Sequence, residues 1–228
     1  MSFHLSLLIG SFLGVGQLAW ASPITYTVTV DTFSISGMAG SLDFNFNPGP
    51  LETQSASLQI LDFTSNGALA GNCPCGTGDV SGQLPATLTF DNLAGFNDYF
   101  DDFTFGATIS FNLSLYGPAL STPDGLSTSG SRFVFSIFSD TAGTVPALTT
   151  DTTDGFAFTV DVNLDGTTTV ANSSAQTTIA PVGGSTPEPA GWAEMAVAIG
   201  LWLMFRFRPR SRGTRADQEV RPTGWGRE

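Results

Sequence analysis

Apolar and polar side chains alternate with a period of two along most of this chain. Residues 24–30 read ITYTVTV, with threonine at every second position, and residues 42–46 read LDFNF. Successive side chains of a strand point to opposite faces, whereas an amphipathic helix needs apolar residues three and four apart. Residues 22–170 carry no helical stripe of useful length, so the pattern predicts an all-β body.

The predicted strands are short, and turn sequences such as Asn47-Pro48-Gly49-Pro50 separate them. Further strands are expected at residues 56–63, 87–90, 99–105, 109–115, 132–138 and 156–164. About eight or nine such strands in about 150 residues are typical of a β-sandwich, and the 19 phenylalanines of the chain can fill a core between two sheets. We therefore predict a single jelly-roll-like β-sandwich at residues 22–170, followed by a polar linker at residues 171–186.

Charge is distributed very unevenly along the chain. There is no lysine, and Arg132 is the one base between residues 22 and 187, against fifteen acidic residues. The body therefore carries a net charge of −14 and has no basic surface for phosphate groups. This excludes nucleic acid as a partner.

Few residues of the body are suited to catalysis, since residues 22–186 contain neither histidine nor lysine. Ser-His-Asp and Cys-His mechanisms and histidine metal sites are thereby excluded. The one dense group of acids is Asp98, Asp101 and Asp102, in which a strand places Asp98 and Asp102 on one face. A glycosidase pair is one interpretation, but a solvated acidic edge, whose like charges raise one another's pKa, is the simpler one. We expect no enzymatic activity.

The stretch Asp161-x-Asn163-x-Asp165-Gly166 matches the first half of a calcium-binding EF-hand loop. Oxygen ligands at alternate positions suit Ca²⁺, but Asn172 occupies the position where that loop has a bidentate glutamate. Two strands joined by a turn at Asp165-Gly166 explain the same residues. We predict this hairpin, with at most weak calcium binding by Asp161, Asn163 and Asp165 and no other cofactor.

Cys73 and Cys75 are the two cysteines of the chain and lie in the glycine-rich stretch GNCPCGTG. Cysteines of exported proteins usually pair, so a disulfide between them is one interpretation and two free thiols are the other. A bridge across one residue closes a very small loop and adds little stability through chain entropy. A redox or metal role would need further ligands or the C-x-x-C spacing.

The first 21 residues have the features of a secretory signal peptide. An apolar stretch occupies residues 5–20, and Ala19 and Ala21 supply the small residues at positions −3 and −1 of a cleavage site. We expect the mature body to begin at Ser22 and to be exported.

A second apolar segment, residues 190–205, lies near the other end of the chain. As a helix it would extend about 24 Å, against about 30 Å of membrane hydrocarbon. Four arginines follow it at alternate positions: Arg206, Arg208, Arg210 and Arg212. Arginines at a membrane span stay on the cytoplasmic side, so the body would lie outside. We expect a transmembrane helix at residues 190–205 and a disordered basic tail at residues 213–228.

Pro187-Glu188-Pro189, the apolar segment with Trp192 and the arginine cluster together resemble the PEP-CTERM sorting signal of Gram-negative bacteria, a segment also labelled an ice-binding protein C-terminal domain. In that family an exosortase in the inner membrane recognises the tripeptide. The hydrophobic tail is then removed, and the body is released to the cell surface or the exterior, usually in organisms that make exopolysaccharide. The resemblance covers residues 187–212, and Glu194 departs from the usual apolar run. It implies an inner-membrane intermediate and transient contact with an exosortase.

The body is more loosely similar to the ectodomains of a PEP-CTERM family of unknown function, through stretches such as GSLDFNFNPGP and TTDGFAFTVDVNLDGTTTV. That resemblance implies an architecture and no activity. We interpret the chain as an exosortase-sorted structural protein of the cell surface or extracellular matrix. The alternative is a module that binds extracellular polysaccharide, with or without calcium. Its aromatic stacking platforms would be limited to three tyrosines, Tyr26, Tyr99 and Tyr116, because all four tryptophans lie outside the body.

Overall fold

The computed structural model describes residues 22–71 and 75–183. The predicted signal peptide with its cleavage site, the sorting motif at residues 187–189, the apolar segment at residues 190–205 and the arginines after it lie outside these residues. Among the described residues, no helix has the length and hydropathy needed to cross a membrane.

The described chain is all-β, as its period of two predicts, and forms two antiparallel sheets with almost no helix. The strands, numbered in chain order, are β1 Ile24–Asp31, β2 Ala39–Pro48, β3 Ser57–Ser65, β4 Ala68–Leu69, β5 Gly76–Thr77, β6 Val80–Gly82, β7 Leu88–Asp91, β8 Asp98–Thr104, β9 Thr108–Tyr116, β10 Ser131–Phe138, β11 Phe156–Val162, β12 Thr168–Asn172 and β13 Thr177–Pro181. The helical elements of this part of the chain are a 3₁₀ turn at Phe33–Ile35 and the single-turn helix α1 at Pro118–Ser121.

Each sheet combines strands from distant parts of the chain. The first sheet has six strands in the order β13-β1-β9-β3-β7-β6. The second has seven strands, in the order β12-β11-β10-β2-β8-β4 with β5 also paired to β8. The centre of the second sheet therefore places β2, from the first third of the body, beside β10 and β8.

Buried side chains of both sheets belong to one hydrophobic cluster. The ring centroid of Phe44 on β2 lies 5.5 Å from that of Phe111 on β9 and 4.8 Å from that of Phe135 on β10. All three rings are buried, and such edge-to-face and tilted pairs add to the stabilisation that burial provides. The phenylalanines of the alternating strands thus form a shared core, as the sequence pattern predicts.

The predicted linker at residues 171–186 is wrong for most of its described length. Residues 171–172 end β12, and residues 177–181 form β13. β13 pairs with β1, with Pro181 opposite Tyr26. Its sequence TTIAP has one large apolar side chain and so has the composition of a linker, but backbone hydrogen bonding to a neighbouring strand requires no apolar pattern. The folded body therefore extends to residue 181, beyond the predicted boundary at 170.

Cys75 is buried and disulfide-bonded. The interpretation of this residue as a free thiol is therefore wrong. The chain has one other cysteine, Cys73, which lies outside the described residues.

Candidate functional site

The surface of the second sheet that points away from the hydrophobic core carries most of the polar side chains of interest. Strand register sets them in rows, and in one row Arg132 of β10 lies between Asn47 of β2 and Asp161 of β11. We call this surface the polar face and define it by Asp43, Asn45, Asn47, Asp98, Arg132 and Asp161. The sequence pattern indicates some of these residues one by one, and the pairing of four strands brings them together.

Arg132 and Asp161 form a bidentate ion pair on the polar face. Nε of Arg132 donates to Oδ1 of Asp161 over 2.6 Å, and Nη2 donates to Oδ2 over 3.0 Å. The two side chains are 57% and 31% exposed, so solvent screens the pair and its contribution to stability is small. The main effect is geometric, because the two parallel hydrogen bonds hold guanidinium and carboxylate in one plane.

The residues of the calcium half-motif have separate hydrogen-bond partners. Asp161 accepts from the arginine just described, and Nδ2 of Asn163 donates to the hydroxyl groups of Thr167 and Thr169 over 3.0 and 2.9 Å. Oδ1 of Asp165 accepts from the backbone N–H and the hydroxyl group of Thr167. β11 and β12 pair antiparallel on either side of this turn. The predicted hairpin is confirmed.

We expect calcium to have little effect on this hairpin, because the ion would have to displace Arg132 from Asp161. A site with a Kd of about 1 mM would stabilise the body by only about 0.4 kcal/mol at 1 mM calcium. Thermal melts with chelator and with calcium measure this, and Arg132→Gln, which frees Asp161, is the matched variant. A rise of more than about 5 °C in the melting temperature of the parent protein on adding calcium would contradict the expectation.

β8 places the three clustered acids on two faces, as predicted. Asp98 and Asp102 lie on the outer side, and Asp101 is 1% exposed on the core side. Four residues of strand separate the Cα atoms of Asp98 and Asp102 by about 13 Å. The carboxyl groups of a glycosidase pair are roughly 5–9.5 Å apart. The geometry therefore does not support the interpretation of Asp98 and Asp102 as a glycosidase pair.

Asp98 has a different partner, Asp43, which the sequence pattern does not indicate. The carboxyl groups of Asp43 and Asp98 are hydrogen-bonded to each other, and Nδ2 of Asn45 donates to Oδ1 of Asp43 over 2.7 Å. Burial raises the pKa of Asp43 to about 8, helped by the hydrogen bond and the charge of Asp98. At neutral pH the carboxyl group of Asp43 is therefore protonated and uncharged. The alternation DFNFN at residues 43–47 predicts that Asp43 lies on the outer face of the sheet. It does not indicate which residue of another strand lies beside Asp43.

Asp101 is an acid on the core side of the sheet. Its Oδ2 accepts from the hydroxyl of Tyr99 over 3.2 Å, and that hydroxyl accepts from the backbone N–H of Leu84 over 3.1 Å. Oδ1 has no hydrogen-bond partner among the described residues. Burial raises the pKa of Asp101, and the charge of Asp102 is a smaller cause. Burial, rather than the predicted crowding of like charges, is thus the main cause of the raised pKa of Asp101.

An open groove of about 670 Å³ lies at the Arg132 end of the polar face. The side chains of Arg132 and Asp161 line it together with apolar groups of Val134, Phe156 and Leu164. The loop at residues 47–50 and the segment 128–131 complete the lining. Donors and acceptors held in one plane beside an apolar wall are typical of a site that binds a small polar molecule.

Protein families, characterised proteins and solved structures give no match to this chain. In chemical terms, the polar face offers an ion pair with unused hydrogen-bonding capacity, a protonated carboxyl group on Asp43, and a groove lined by the ion pair.

Proposed function

We propose that this chain is an exported, non-enzymatic structural protein of the cell surface or extracellular matrix, released from the inner membrane by an exosortase. Its two sheets pack face to face as a jelly-roll-like β-sandwich, and the contact between Phe44 of the second sheet and Phe111 of the first supports this packing. One observation carries the proposal: the first and last strands of the body are hydrogen-bonded neighbours.

β1 and β13 lie side by side at one edge of the six-stranded sheet. The backbone N–H of Val182 donates to the carbonyl of Thr25 over 2.8 Å, so the chain leaves the body beside the point where it enters. Pro187 follows Pro181 by six residues, a reach of at most about 20 Å. This supports the proposal because export and sorting signals then flank a closed body, and cleavage near Pro187 would fall after β13, the last strand of the described residues.

We expect the secreted protein to begin at Ser22 and to end near Pro187, without Trp192 or the arginine cluster. The physical reason is that an exosortase would cut beside the tripeptide while the body is already closed by β13. Intact-mass measurement on protein from the culture medium and the cell surface tests this. Glu188→Ala is expected to keep the tail and to accumulate in the membrane fraction, with Glu194→Gln as the control outside the tripeptide. A mature species that retains residues 206–228 would contradict the proposal.

A second candidate function, favoured by the groove, is a module that binds extracellular polysaccharide. The groove is open to solvent along the sheet and combines polar with apolar groups, as carbohydrate ligands require. A calcium-assisted form of this function has less support, because Asp161 is already bound to Arg132. A glycan array probed with the secreted protein, first with chelator and then with calcium, separates the candidates. Binding favours the module, and correct sorting without any glycan binding favours the purely structural protein.

A further inference from the structure

We propose that the groove at the Arg132 end of the polar face binds a neutral oligosaccharide, with the Arg132–Asp161 pair holding two neighbouring sugar hydroxyl groups. The inference rests on the second candidate function above and gives it a site and a class of ligand. It is carried by the hydrogen-bonding capacity of the pair, the apolar wall beside it, the rigidity of the groove and the charge of the body.

The ion pair retains capacity for a ligand. A guanidinium group has five N–H donors, and Asp161 accepts from two of those of Arg132. Three donors remain on a side chain that is 57% exposed. Each oxygen of Asp161 accepts one of these two hydrogen bonds and keeps a further lone pair. A hydroxyl group both donates and accepts, so two adjacent sugar hydroxyls match a donor and an acceptor fixed side by side in one plane.

Asn47 extends this row of polar groups. It lies opposite Arg132 on the neighbouring strand, and its Oδ1 accepts from the backbone N–H of Asn97 over 2.6 Å. That hydrogen bond fixes the orientation of the carboxamide, whose NH₂ group remains a donor beside the guanidinium. The row therefore offers planar groups from three strands at one level of the sheet.

Apolar side chains provide the second half of a sugar site. Leu164, which is 51% exposed, and the half-buried Phe156 line the groove, with the buried Val134 behind them at 7% exposure. A sugar ring has C–H groups as well as hydroxyl groups, so one part of it can cover this apolar surface while another binds the ion pair. Covering an exposed leucine removes apolar area from water and favours binding.

The wall of the groove is held in place before any ligand arrives. The backbone N–H of Gly49 donates to the carbonyl of Gly130 over 2.7 Å. A Cβ atom at Gly130 would collide with the carbonyl oxygen of Val162, so the backbones approach as closely as they do only because this residue is glycine. Ser129 Oγ is hydrogen-bonded to Thr53 Oγ1 at 2.7 Å and accepts from the N–H of Leu51. A preformed groove loses little conformational entropy on binding.

Charge selects a neutral ligand over an acidic one. The body has a net charge of −14, and Asp161 neutralises its one arginine. Uronic acids, sulfated sugars and phosphates would be repelled on approach, and Arg132 cannot compensate because it is already paired.

The test uses the full secreted protein and isothermal titration with three neutral tetrasaccharides, built from glucose, mannose and xylose, and with an alginate tetrasaccharide as the acidic probe. We expect at least one neutral probe to bind with a Kd between about 10 μM and 1 mM, and the alginate probe to bind at least about tenfold more weakly. Absence of binding by every neutral probe, or tighter binding of alginate, would overturn the proposal.

Two variants locate the site. Arg132→Met keeps a long unbranched side chain without donors and is expected to weaken binding about tenfold or more with little change in melting temperature. Leu164→Ala is expected to weaken binding about threefold to tenfold. Leu93→Ala, which truncates a leucine that is 74% exposed and outside the groove, is the matched control and should change nothing. Neutral-sugar binding that neither groove variant weakens would overturn the site while leaving the polysaccharide-binding function intact.

Discussion

A chain that ends at Val170 is expected to lose cooperative folding, whereas a chain that ends at Gly183 is expected to melt as one unit, when both begin at Ser22. The shorter chain lacks β13 and the end of β12. β1 therefore loses its pairing with β13 along residues 26–30 and keeps only its pairing with β9. At about 1 kcal/mol for each net backbone hydrogen bond, the lost pairing costs about 5 kcal/mol. This is comparable with the whole stability of an ordinary domain, about 5–15 kcal/mol.

Contacts around the last two strands make the loss larger. The backbone N–H of Asp31 donates to the carbonyl of Gln176 over 2.9 Å, and Nδ2 of Asn172 donates to the carbonyl of Thr177 over 2.9 Å. Thr177 is 5% exposed, and Ile179 packs against the hydrophobic cluster. Without these residues, β1 becomes an unprotected sheet edge, which favours aggregation.

Thermal melts followed by near-ultraviolet circular dichroism, with size-exclusion chromatography of each sample, measure this effect. A chain that ends at residue 175 keeps β12 and lacks β13, so it separates the contributions of the two strands. The chain ending at Gly183 with Ile179→Ala keeps the backbone pairing and should lose much less stability. A 22–170 chain that melts cooperatively within a few degrees of the 22–183 chain would show that β13 is dispensable.

Acidification from pH 7 to pH 5 is expected to stabilise the body. Burial raises the pKa of Asp43 from an ordinary 3.8 to about 8. Between these values the folded protein holds a proton that the unfolded chain has released, so stability falls as the pH rises through this window and grows as the pH falls. Asp101 acts in the same direction, because burial raises its pKa as well.

The expected size of this effect follows from one proton over two pH units. That linkage corresponds to about 2–3 kcal/mol, or roughly 5–10 °C in the melting temperature of a body of this size. Below about pH 4 the trend should reverse, because hydrogen bonds from N–H and O–H donors lower the pKa of several other aspartates. These are Asp124, Asp140, Asp151 and Asp165.

Asp43→Asn tests the assignment to this residue. The amide is neutral at every pH, and its NH₂ group can donate to Asp98 in place of the carboxyl proton of Asp43. The variant should therefore be more stable than the parent at pH 8, nearly equal to it near pH 4, and less dependent on pH between the two. Asp140→Asn is the contrasting variant: it should lower stability by a similar amount at every pH above about 4 and change the slope of the pH profile only below about pH 4. A steady loss of stability in the parent from pH 7 to pH 5 would contradict the account.

The alternation of side chains by itself determined where most strands lie and which way their residues point. The pattern predicts a strand at residues 99–105, and β8 spans Asp98–Thr104. It also separates Asp101 from Asp98 and Asp102, and it predicts the hairpin at Asp165-Gly166. These features follow from the geometry of a single strand or turn, in which neighbouring residues fix the face and the bend. They can therefore be derived without knowledge of any other strand.

Only the tertiary structure decided which strands are neighbours, and the polar face depends on that choice. Arg132 meets Asp161 because β10 lies beside β11, and Asp43 meets Asp98 because β2 lies beside β8. Likewise, residues 177–181 form a strand because they pair with β1, and not because of their own composition. Register between distant strands is fixed by the packing of the whole core and by backbone hydrogen bonds, which are alike for every residue type except proline and so leave no local pattern to read.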